Sequence, residues 1–216
     1  MAPLFSFKHH LPELVMRRKQ HSDLHGNAPD EAPVVLLLID VINDLEFEGG
    51  DRLLRHALPA SKTIAALKER CRRAGIPAVY VNDNFGKWRS DFKKLISHCV
   101  DDETRGSQIV GLLKPDEEDY FVLKPKHSGF FSSALDLLLE HLGARTLILA
   151  GWTGDICILF TANDAFMRDY RLVIPRDCVV SLEAEENQRA LKFMERVLEA
   201  DVRNSDEIDL ESLKAQ

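Results

Sequence analysis

The chain has 216 residues, room for one good-sized core and too few for two ordinary domains. Apolar residues make up 45% and charged residues 29%, and the formal net charge is −7, so the whole-protein field favours neither nucleic acid nor an anionic membrane surface. The longest apolar run, VVLLLI at Val34 to Ile39, has the length of a strand and falls far short of a membrane span. Cys71, Cys99, Cys157 and Cys178 are widely spaced with no CxxC pair, which argues against a zinc ribbon, a redox dithiol or a disulfide framework, and for a reducing, cytoplasmic compartment.

Residues 1–32 are mildly basic and lack the continuous apolar segment of a secretory signal. They read as an arm: loosely held, a lid, or exchanged between subunits. A single domain is expected over 33–205, with a tail over 206–216. Within the domain, PVVLLLID predicts a strand buried on both faces and ending at Asp40. LPASKTIAALKERCRRAG has helical spacing at Ile64, Leu67 and Cys71, with Gly75 as its stop. IPAVYVND is a second strand, and RSDFKKLISHCV has helical spacing. The stretch from Asn82 to Asp119 otherwise carries little regular pattern and is expected to cover a site. DYFVLKP is a third strand, SSALDLLLEHLG a helix from serine to Gly143, and RTLILAG a fourth strand. DICILFTANDAFMRD is a helix, RLVIPRD a fifth strand, EAEENQRALKFMERVLEA a helix, and DVRN a short sixth strand.

Alternating strands and helices imply a doubly wound, mainly parallel six-stranded α/β sheet, Rossmann-like, with helices on both faces. Ligands of such sheets bind beyond the carboxyl ends of the strands. Asp40, Asn82 with Asp83, Lys124, the turn leading to Cys157, and Asp177 stand at those ends. A thiol at a helix start, near a cation, has its pKa lowered, and the free amides of that helix start can hold an oxyanion. Cys157 is either such a nucleophile or a small buried hydrophobe, Asp40 a general base or a turn cap, and Lys124 a charge stabiliser or a solvated lysine. In the loop NDNFGKWRSDF, Asn84 can donate and accept, Trp88 can stack, and Arg89 can bind a carboxylate or pair with Asp91. Phe130, Trp152 and Phe160 either line an apolar pocket or belong to the core. Cys71 and Cys178 read as core. The histidines show no metal-ligand spacing.

Three segments, in order, resemble the isochorismatase-like cysteine hydrolases: LLLIDVINDL, FVLKPKHSGF and LILAGWTGDICILFTANDA. The resemblance runs from about Pro33 to Ser205 and takes in VIPRDCVVS. It implies an Asp40–Lys124–Cys157 triad, with Cys157 attacking a carbon, Asp40 taking the thiol proton and Lys124 stabilising charge. It also implies a cis Trp152–Thr153 peptide that aims the Thr153 and Cys157 amides at the oxyanion. Ile42 and Leu45 stand where the family often has glutamine and phenylalanine, and are expected to alter the pocket wall. The nicotinamidase branch needs metal-binding histidines after strand two; none is present in VNDNFGKWRSDF, so no metal and no organic cofactor are expected. The reading is a cysteine hydrolase of a small amide or ureide, working as a homodimer or larger homo-oligomer through FMRDY and the last helix. The alternatives are ether or ester hydrolysis on the same fold, a catalytically silent small-molecule binder, and a thiol redox sensor.

Overall fold

The computed structural model describes residues 31–83, 91–101 and 104–215. Six strands form one sheet: β1 (Val34–Ile39), β2 (Ala78–Asp83), β3 (Tyr120–Lys124), β4 (Thr146–Trp152), β5 (Arg171–Val173) and β6 (Val179–Val180). The order is β3-β2-β1-β4-β5, with β6 pairing the far end of β4, and every pairing is parallel. The chain winds outward from β1 to β3, then returns to the other side of β1 as β4. That reversal opens a crevice outside the carboxyl ends of β1 and β4, the usual ligand position in open parallel sheets.

Period-2 burial assigns the strand residues to two cores. Leu36, Leu38, Tyr80, Ile148 and Ala150 face α1 (Gly50–Arg73), α2 (Phe92–Asp101), α3 (Ser107–Leu112) and α7 (Leu210–Lys214). Val35, Leu37, Val79, Val81 and Leu149 face α4 (Leu135–His141), α5 (Leu159–Phe166) and α6 (Ala184–Val197). β1 and β4 are buried along their whole length, as strands covered on both faces must be.

Three expectations need correction. DVRN is not a strand: Asp201 makes a single parallel bridge to Val173, while the sixth strand is Val179–Val180. Pro175 cannot donate to the ladder, so pairing breaks after β5 and resumes against the end of β4. α1 begins at Gly50, well before Leu58; Pro59 sits inside it and mimicked a helix start. The stretch between Asn82 and Asp119 holds α3 besides α2. α3 buries only Ile109 and Val110, too few side chains to show a period.

The residues after 205 pack on α1. Leu210 and Leu213 are buried, Arg70 donates to the carbonyls of Ser205 (2.6 Å) and Ile208 (2.7 Å), and Lys214 Nζ donates to the Ala74 carbonyl (2.8 Å).

Gly151 shows how tightly β4 is held against β1. Its φ is +126°, and a Cβ there would lie 2.1 Å from the Ile39 carbonyl oxygen. Gly151→Ala is therefore expected to lower stability by about 3 kcal/mol, through backbone strain and overpacking. Gly111→Ala, in a helix with open space around it, should be neutral or stabilising. Urea denaturation of both variants checks the contrast.

Candidate active site

The ends of β1, β2 and β3 and the turn after β4 converge on one buried ammonium. Asp40 closes β1 with φ +56°, a left-handed conformation that turns the chain out of the sheet. Its amide donates to the Val81 carbonyl (3.0 Å), and its Oδ1 accepts the Asp83 amide (2.8 Å). One residue earlier on β2, Asn82 Nδ2 donates to the Ile42 carbonyl (2.7 Å) and so holds the loop that leaves Asp40. β2 thus clamps both the carboxylate and its loop.

Lys124, the last residue of β3, has no solvent exposure. Its Nζ lies 2.9 Å from Asp40 Oδ2, 3.1 Å from the Lys126 carbonyl, 3.6 Å from Cys157 Sγ and 3.8 Å from Asp83 Oδ2. Cys157 follows β4 in a widened turn. The Trp152–Thr153 peptide is cis, and the Thr153 carbonyl accepts the amides of Ile156 (3.2 Å) and Ile158 (3.0 Å). The second of these spans five residues, a π-type turn that leads into α5.

The Cys157 turn and the loop after Lys124 are tied together behind the site. Thr161 Oγ1 donates to the Cys157 carbonyl (2.7 Å) and accepts the Gly129 amide (2.9 Å). Ser128 Oγ donates to Asp164 and accepts the Phe130 amide (3.1 Å). On the other flank, the Asp155 amide donates to Ser181 Oγ (3.1 Å), which donates to Asn187 Oδ1 (3.1 Å).

Burial pushes the Cys157 thiol up to about 12, with Asp40 pushing the same way and Lys124 pulling down. This runs against the expectation of a lowered thiol pKa: removal from water and the Asp40 carboxylate outweigh the pull of Lys124. Burial also raises the Asp40 carboxyl, against the pull of Lys124 and the Asp83 amide. For Lys124, burial lowers the ammonium's pKa, but Asp40, Cys157 and Asp83 more than offset it and the net shift is upward. The resting arrangement is a neutral thiol beside a charged lysine, with a carboxylate of unusual basicity.

Of the residues expected at the site, Asp40, Lys124 and Cys157 are brought together, and Thr153 opens the turn. Asn84, Trp88 and Arg89 lie outside the described residues. Phe130 and Trp152 are both buried. Phe130 is buried in the α4–α6 core beneath the Arg168 guanidinium (4.7 Å), and Trp152 in the α1 core, because apolar side chains at these strand ends are covered by helices. Ile42 and Leu45 are buried in the α1 core. Phe160 is half exposed, with its ring against His127 (5.6 Å between centroids). Cys71, Cys99 and Cys178 are fully buried. Sequence reasoning placed Asp83 at a strand end but gave it no role, and it left out Asn187, whose place in α6 carries no sequence signal. Among the described residues, no group of three or more His, Cys, Asp or Glu is placed to hold a metal ion, and no helix is long and apolar enough to cross a membrane.

With three strand ends and a helix start meeting at an Asp, a Lys and a Cys, the comparisons with known proteins fall into place. The sequence profile of the isochorismatase domain matches residues 34–207, and the chain belongs to the isochorismatase family, whose members are hydrolases. An uncharacterized isochorismatase family protein of Bacillus subtilis, YaaI, is 40% identical over 178 residues, covering 82% of this chain and 97% of that one. The ureidoacrylate amidohydrolase RutB of an Enterobacter species is 36% identical over 86 residues, 40% of this chain and 37% of RutB. The structure of N-carbamoylsarcosine amidase from Thermoplasma acidophilum superposes with a TM-score of 0.62 at 26% identity, covering 82% of this chain and 98% of that chain.

Thr161→Val tests the brace behind the turn. It removes a donor to Cys157 and leaves the buried Gly129 amide without an acceptor, so stability should fall by about 2 kcal/mol. Thermal and urea denaturation measure this. A change below a few tenths of a kcal/mol would mean the brace is not under load.

Proposed function

We propose that this protein is a cysteine hydrolase that cleaves a C–N bond of a small amide or ureide through a covalent Cys157 intermediate. The observation that carries the reading is a single buried ammonium, Lys124 Nζ, within reach of both Asp40 Oδ2 (2.9 Å) and Cys157 Sγ (3.6 Å). On substrate binding, Cys157 gives its proton to Asp40 and its sulfur forms a bond to the substrate carbon. The carbon's oxygen takes the negative charge, held by the Thr153 and Cys157 amides. Collapse breaks the C–N bond, and the leaving nitrogen takes the proton from Asp40. Water then attacks the thioester, gives a proton to Asp40 and releases the acid, and the sulfur takes that proton back. Lys124 keeps its charge throughout and stabilises the thiolate as it forms.

A neutral resting thiol demands a base of more than ordinary strength, and the raised Asp40 carboxyl suits that role. Asn84, Trp88 and Arg89 are proposed to select the substrate. The exposed apolar side chains at the end of α5 (Phe166 and the following Met167) and on α6 (Phe193 and Val197) are proposed as the contact between copies in a homodimer or larger assembly. Light scattering that finds only monomer would overturn the oligomer.

Brief iodoacetamide treatment followed by intact and peptide mass spectrometry tests the nucleophile. Cys157 should label ahead of the three fully buried cysteines, more slowly in Lys124→Ala, and not at all in Cys157→Ser. Equal labelling of all four cysteines would defeat the assignment. Turnover of small amides and ureides should vanish in Cys157→Ala; retained turnover would rule out the covalent Cys157 intermediate.

The pH profile gives a separate check. Asp40 must be ionised to act, and its pKa is raised, so activity is lost as pH falls through a value above the ordinary aspartate 3.8. The acid limb of kcat/KM measures it, and a limb at or below 3.8 would exclude Asp40 as the base.

A further inference from the structure

A cavity lies on the Ser181 side of the Cys157 turn, between α1, α6 and the segment from β5 to β6. It is a half-open cleft of about 420 Å³, within the range of small-molecule sites. Leu191 and Val202 give it an apolar floor. His56, Arg176 and Lys192 stand at its rim, with Glu195 the one opposing acid. Arg176 commits its Nε to the Val202 carbonyl (2.6 Å), which fixes the guanidinium at the cavity edge. Among the described residues, none of these three basic side chains is engaged in an ion pair. In a chain of net charge −7 with histidine counted neutral, a cavity with Arg176 and Lys192 against one acid runs against the overall field.

The inner wall is one side chain thick. Ser181, 2% exposed, and Asn187 line the cavity, and the same two residues carry the hydrogen-bond relay to the Asp155 amide, two residues before Cys157. Asn187 is fixed in turn by its Nδ2 donating to the Val179 carbonyl (2.9 Å). Gly154 lies so close beneath it that a Cβ would meet Asn187 Oδ1 at 2.1 Å. A ligand that moves Asn187 or Ser181 therefore acts directly on the turn.

We propose that this cavity is a second small-molecule site, taking a carboxylate with a compact apolar body, and that its occupant bears on the Cys157 turn through Ser181 and Asn187. The carboxylate meets Arg176 and Lys192, and the body covers Leu191 and Val202. Only the coupling to Cys157 rests on the proposed function; the binding site does not.

The probe is 4-fluorobenzoate, followed by fluorine NMR on the full chain carrying Cys157→Ala, with 4-fluorobenzamide as the neutral control. Saturable binding of the benzoate is expected, weakened about fivefold or more in a second chain that adds Lys192→Glu, an exposed position that does not disturb the core. The benzamide should bind more weakly and be indifferent to Lys192→Glu. In the protein with Cys157 intact, the benzoate should change the rate of Cys157 alkylation by iodoacetamide, and Lys192→Glu should abolish that change. No binding, or binding that ignores Lys192→Glu, overturns the site. Binding that responds to Lys192→Glu while alkylation stays constant overturns the coupling and leaves the site. A Cys157 that reacts no faster than the buried cysteines, with binding intact, sinks the proposed catalysis and not the cavity.

Discussion

The arrangement around Lys124 depends on taking an ammonium wholly out of water. Burying such a charge costs several kcal/mol unless opposite charge and hydrogen bonds replace its hydration. Here Asp40, Asp83, the Lys126 carbonyl and the Cys157 sulfur do so. These groups come from the ends of three strands and the turn after a fourth, so the sheet's register is also the site's geometry. Asp83 pairs Lys124 directly across β2 and β3, and Ile39 pairs Val81 across β1 and β2. Because side chains alternate with period 2, a slip of one residue in β3 would turn Lys124 to the other face and leave two carboxylates without their cation.

The same desolvation sets the character of the sulfur. In the open, a thiol beside an ammonium at a helix start would ionise easily. In this enclosure it stays protonated near neutrality, because a second negative charge beside Asp40 would be poorly solvated. Reactivity in such a site depends on handing the proton to a neighbour at the moment of attack. That favours chemistry triggered by a fitted substrate over indiscriminate reaction with oxidants, and it weighs against a redox-sensor role.

Most of the fold was readable because strongly periodic segments leave little choice. β1 and β4 are continuous apolar runs, and Asp40, Lys124 and Cys157 stand where β1, β3 and β4 give way to a charge or a turn. What was hidden has physical causes. Pro59 looks like a helix start, though it lies inside α1. β6 is two residues long and follows a proline. The state of the thiol depends on how deeply it is buried, which no local motif encodes. Phe130 and Trp152 neighbour the motifs in sequence, and the pleat and the covering helices place them in separate cores, a separation no local motif encodes. Ser181 and Asn187 act on the Cys157 turn only because β6 and α6 return to it.

The position of β1 in the sheet has a consequence for how the protein is made. β1 is flanked by β2 on one side and β4 on the other. A chain emerging from the ribosome can pair β1 with β2 early, but the partner for the second edge begins only at Thr146. Throughout the synthesis of the intervening residues, VVLLLI presents an unpaired apolar edge, the template on which strands of other chains add. A ribosomal pause before β4 would lengthen that exposure, and a chaperone that shields β1 would shorten it.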